Sequence, residues 1–247
     1  MKILSSALYA AATQALTITP NTSGFGAIIS DLQVSDLNLV HDKQPTTSLK
    51  SLGAELKAAL HRWKFLSFPN QGRVSQSEQL AFIQLLGEAY NESSHINRIH
   101  YINELDPRVA IISNDKDFGL TNVGVEGFHS DGNVVRIPHA ATLLYCEKSI
   151  PGGDTLLVEL DAVLAKIPPS LKIQEVNFAS AHVENLEHPL AYPHPSTGKP
   201  TMFFGLGELS GIYSRNGVKI SQAETNTIKY FIEKAIEEVG VYTHKWN

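Results

Sequence analysis

The chain has 247 residues, 43% of them hydrophobic and 18% charged, with a formal net charge of −5. That balance excludes a disordered or fibrous protein, and the length supports one sizeable core. Lysines and arginines are scattered singly, so no basic stripe exists to neutralise phosphates and a nucleic-acid partner is excluded.

Met1 to Ala12 has one lysine and an alanine-rich end but only a short apolar stretch broken by Ser5 and Ser6, which reads as an extension over residues 1–15 rather than a signal peptide. No stretch approaches the length of a membrane span, and a cytoplasmic location is expected. No repeat or linker divides the rest, so residues 16–247 are expected to form one domain.

From Ser48 to Trp63 the residues Leu49, Leu52, Leu56, Ala59 and Leu60 fall on one helical face. Phe65 to Phe68 reads as a short strand stopped by Pro69 and the turn formers Asn70 and Gly72. Ser75 to Glu78 has the form of a capping box and opens a helix expected to run through Leu86. Val109 to Ile112, Ala141 to Cys146 and Thr155 to Leu160 read as core strands, with a short helix from Asp161 to Ile167 ended by two prolines. Cys146 is the single cysteine, and its apolar neighbours predict a small buried hydrophobe. Ser221 to Glu224 is a second capping box. Behind it Ile228, Phe231, Ile232, Ala235 and Ile236 form an apolar stripe closed by Gly240, and Val241 to Trp246 reads as the start of another strand. Helices early and late with a strand-rich middle predict an α+β protein with an antiparallel sandwich or barrel at its centre.

The chemistry concentrates in Gly127 to Gly132, where His129 and Asp131 stand two apart. On an extended segment both point to one side, so an imidazole nitrogen and a carboxylate oxygen converge on one point, a donor set suited to a borderline divalent metal. The pair alone is weak, since such spacings arise by chance. Gly152 and Gly153 read as turn formers, because no phosphate-cradling glycine motif opens a helix there.

The combination of His129-x-Asp131, a strand, and Pro151 to Leu156 (P-G-G-D-T-L) resembles the taurine dioxygenase-like (TauD/TfdA) branch of the iron(II)/2-oxoglutarate oxygenases. Ser23 to Ile29, Arg62 to Gln71, and His188-Pro189 followed by His194 to Lys199 are similar to further family segments, so the resemblance runs from about Leu16 onward. It implies a double-stranded β-helix, or jelly-roll, core with flanking helices. It implies His129 and Asp131 as iron(II) ligands, and Thr155 as a hydroxyl that binds the distal carboxylate of 2-oxoglutarate. The family pattern continues with a Gly-Asp turn, a distal histidine and an arginine that grips 2-oxoglutarate. The chain stops at Asn247 before them, so a C-terminally incomplete site lacking its last strands is expected.

The implied activity is oxidation of a small molecule by dioxygen, with hydroxylation as the default, desaturation within range, and succinate and carbon dioxide as products. A homo-oligomer is compatible with this reading. Asn114, Phe128, Asn133, Arg136 and Phe204 are candidates to line the substrate pocket, with Arg136 suited to an anionic group. Two other readings stand beside it: a non-catalytic jelly-roll module that binds or assembles, and a zinc hydrolase in which His129 and Asp131 bind zinc beside a third histidine such as His194 or His182.

Overall fold

The computed structural model describes residues 15–37, 39, 46–89, 106, 108–121, 123–124, 127–207 and 209–246. The expected extension lies outside them, save for residue 15. The chain forms two compact units. One comprises residues up to 121 together with 143–150; the other comprises 122–142 and 151–246.

In the first unit β1 (Ile18–Pro20) pairs antiparallel with β2 (Ala27–Ile29), which pairs in parallel with β3 (Leu66–Ser67). The parallel crossover is made by α1 (Thr47–Trp63), whose N-terminus is capped by the Thr46 side chain. Of its predicted stripe Leu49, Leu52, Leu56 and Ala59 are buried, the first three joining Ile29 and Phe82 in one apolar cluster, while Leu60 is half-buried. Helix α2 (Gln76–Ile83) opens on the predicted capping box. It ends earlier than expected because Leu85 and Leu86 donate to the carbonyls of Phe82 and Ile83, three residues back, which tightens the chain into turns.

Two predicted strands of this region differ. Val109 to Ile112 contributes one isolated bridge, Ile112 to Leu120, and Ile112 is exposed. Ala141 to Cys146 keeps the alternation of a strand, with Leu143 and Tyr145 turned inward and Leu144 outward, yet has no ladder partner among the described residues. Alternation records which side chains are covered; only a partner's backbone makes a strand. Tyr145 is held by side-chain bonds instead, its hydroxyl donating to the Gly72 carbonyl at 2.7 Å and accepting from the Val74 amide at 3.2 Å. Cys146 is partly exposed rather than buried, and free.

In the second unit β4 (Thr155–Leu157) pairs with β10 (Tyr242–His244), the predicted terminal strand. Next come α3 (Leu160–Lys166), β5 (Val176–Ser180), β6 (Glu187–Pro189), the hairpin of β7 (Ala191–Pro193) and β8 (Pro200–Met202), then β9 (Leu209–Ser214) and α4 (Gln222–Val239). Strand β5 lies between β6 and β9, antiparallel to both. Helix α4 starts at the predicted Ser221 capping box and ends at Gly240, with φ +86°. Ile228, Ile232, Ala235 and Ile236 are buried against Val163, Phe178, Phe204 and Ile212, while Phe231 stays half-exposed. Each fully buried isoleucine there contributes about 1.5–3 kcal/mol. The mixed helix and strand content matches the predicted α+β class. Among the described residues the ten strands group into four sheets of three, two, three and two.

Candidate functional site

The segment carrying His129 and Asp131 is fixed by its backbone. Ser130 donates to the Phe204 carbonyl at 2.7 Å, Leu206 donates to the Phe128 carbonyl at 3.2 Å, and His129 forms an antiparallel bridge with Gly205. Phe204 and Leu206 are 1% and 8% exposed, so the partner segment is itself anchored in the core. This extended stretch brings both side chains to one side, with His129 Nε2 3.5 Å from Asp131 Oδ1.

The His129 ring is oriented from behind: Nδ1 lies 3.0 Å from the Gly127 carbonyl. A carbonyl only accepts, so Nδ1 carries a proton and Nε2 is the atom turned to Asp131. The Asp131 carboxyl is held below the usual carboxylate range. The hydrogen bond from His129 is the main cause; partial burial opposes it, and a hydrogen bond from Thr142 and the charges of His129 and His139 assist. Immediately after Asp131 the chain reverses at Gly132, with φ +80°. Asn133 and Val135, next along, are buried.

Thr155 belongs to a second cluster. Its Oγ1 accepts from the indole Nε1 of Trp246 at 3.0 Å, and His244 stands edge-on to that indole, centroids 4.6 Å apart. The expected pocket residues fall unevenly. Phe128 packs at the margin of the core and Arg136 is exposed, both in the unit that holds His129. Asn114 is exposed in the other unit. Phe204 is almost fully buried and Asn133 is 4% exposed, so neither is free to line a pocket as expected.

The rings of His188 and His194 are held elsewhere. His188 is wedged between Phe178 and Phe203, and His194 Nδ1 accepts from the Ser196 amide in a turn. At His182 the backbone amide bonds the Ser180 hydroxyl. Among the described residues no group of three or more His, Cys, Asp or Glu side chains is placed to hold a metal ion. Sequence reasoning missed Thr142 and His139 beside Asp131 and Trp246 beside Thr155. The first two arrive through the reversal at Gly132 and the third through the β4–β10 register, neither of which leaves a periodic signal.

A family model described as "Taurine catabolism dioxygenase TauD, TfdA family" matches residues 34–247. A crystal structure of a taurine dioxygenase from Burkholderia xenovorans is similar, with 21% identity and a TM-score of 0.66, over 95% of this chain and 77% of that one. AAD-2, solved in complex with Mn(II) and N-oxalylglycine, matches with 15% identity and a TM-score of 0.70, over 95% of this chain and 86% of that one. At these identities the two structures establish a shared fold.

Proposed function

Because the chain belongs to the taurine catabolism dioxygenase TauD, TfdA family, we propose that it is an iron(II)- and 2-oxoglutarate-dependent oxygenase that hydroxylates a small molecule, with succinate and carbon dioxide as co-products. The observation that carries this reading is the His129–Asp131 pair, 3.5 Å apart on one side of an anchored segment. An imidazole nitrogen and an ionised carboxylate suit a divalent first-row metal. The Gly127 carbonyl holds a proton on His129 Nδ1 and so orients the ring, and the bonds from His129 and Thr142 keep Asp131 ionised.

Iron(II) and 2-oxoglutarate, when bound, supply the oxidation of a substrate C–H bond by dioxygen. His129 Nε2 and Asp131 would be two of the metal's ligands, and Thr155 would donate its hydroxyl proton to a carboxylate of 2-oxoglutarate. Phe128 offers an apolar wall and Arg136 an anion-binding head to the substrate. We place this activity in residues 16–247, on a jelly-roll core, in the cytoplasm. No helix among the described residues is long and apolar enough to cross a membrane.

The test is anaerobic addition of iron(II) and 2-oxoglutarate to the protein. A metal-to-ligand charge-transfer band, followed by oxygen-dependent consumption of 2-oxoglutarate, supports the oxygenase. Absence of both overturns it in favour of the binding module.

A further inference from the structure

Thr155 and Trp246 meet across the β4–β10 pair, 91 positions apart in sequence. The antiparallel register sets His244 opposite Thr155, and Trp246 follows two positions later on the same side. His244 braces the indole from its edge, with an interplanar angle of 89°. An indole nitrogen only donates, whereas a threonine hydroxyl has one proton and two lone pairs. Oγ1 is therefore the acceptor in this contact. Its own proton remains available, and among the described residues no protein acceptor takes it.

We propose that Trp246 is a positioning residue for Thr155: by donating to Oγ1 it turns the hydroxyl proton outward as a donor to a 2-oxoglutarate carboxylate. This rests on the role assigned to Thr155 in the proposed function. A donor-only partner on the acceptor side excludes the orientation in which the Thr155 hydroxyl points its proton at Trp246 and its lone pairs at the anion. That orientation would repel a carboxylate. A polarised hydroxyl also donates more strongly than an isolated one.

The experiment measures 2-oxoglutarate affinity by calorimetry on anaerobic Mn(II)-loaded protein, comparing the unaltered chain with Trp246→Phe, Thr155→Val, Thr155→Ser and the Trp246→Phe/Thr155→Val double variant. Trp246→Phe should weaken 2-oxoglutarate roughly three- to tenfold, the scale of one hydrogen bond, with Mn(II) affinity unchanged. Thr155→Ser should bind like the unaltered chain. The double variant should bind no more weakly than Thr155→Val, since the indole acts only through the hydroxyl. Unchanged affinity in Trp246→Phe, or additive losses in the double variant, overturns the inference while leaving the proposed function intact. An unaltered chain that binds Mn(II) but no 2-oxoglutarate overturns both. Should Trp246→Phe fail to fold, Trp63→Phe leaves Trp246 as the sole tryptophan. A change in its emission on adding 2-oxoglutarate supports the contact, and unchanged emission during binding counts against it.

Discussion

Gly132 passes so close to His139 that a β-carbon built on it would lie 2.8 Å from the His139 amide nitrogen. Its φ of +80° is a second reason for glycine, because side chains strain the left-handed region. Gly132→Ala should therefore destabilise the fold by about 1–3 kcal/mol. It should also weaken Mn(II) binding, since the backbone that must move carries Asp131. Thermal unfolding and a metal titration followed by electron paramagnetic resonance check both. An unchanged melting temperature would mean the turn relaxes freely.

On the proposed function, removing a metal donor and removing its support should differ in degree. Asp131→Asn should abolish Mn(II) binding, whereas Thr142→Val, which deletes only the hydrogen bond to the carboxylate, should cost roughly 10–100-fold in affinity. Equal losses for the two would place Thr142 among the ligands, and no loss for Asp131→Asn would remove the site.

Acid should weaken the fold through His188. This residue is 4% exposed, its ring 5.6 Å from Phe178 and 5.1 Å from Phe203 between centroids. Burial pushes its pKa below the usual 6.5. The carbonyls of Asn133 and Val135 pull the other way, although none closes a hydrogen bond to Nε2. The unfolded chain takes up a proton near pH 6.5 and the folded chain only at lower pH. Stability is thus complete above about pH 6.5, falls as pH drops below it, and levels off beneath the folded value. Burial lowers His244 in the same direction, with Asp154 opposing, so the comparison must be made against a His188 variant. His188→Phe should flatten part of the slope in urea unfolding between pH 7.5 and 5.5. An identical slope would exclude His188 as its source.

Ser221→Ala should cost about 1 kcal/mol, because it deletes the hydroxyl that accepts from the Glu224 amide at 3.2 Å at the start of α4. Urea unfolding measures this directly. Ser221→Asp, which keeps an acceptor, should restore most of it.

These examples show which features were legible in the sequence. Both capping boxes and both long amphipathic helices are local patterns, set within one or two turns of chain, and they appear as read. The His129–Asp131 pair is local too: two alternate positions of an extended segment share a side wherever the segment lies. Ala141 to Cys146 has the inward and outward alternation of a strand but no ladder partner among the described residues. Thr142, His139 and Trp246 reach their partners through a chain reversal and a strand register. Those depend on distant residues, so no window around His129 or Thr155 contains them.

Tyr145 clasps Gly72 and Val74 from more than 70 positions away. Residues 143–150 thereby complete the unit built from the first half of the chain, although their neighbours on either side belong to the other. During synthesis the Gly72 carbonyl and the Val74 amide cannot meet the Tyr145 hydroxyl until that late segment has emerged. A fragment cut at Thr121 would carry the same helices and sheet but lose that clasp, and loop closure of this length slows folding.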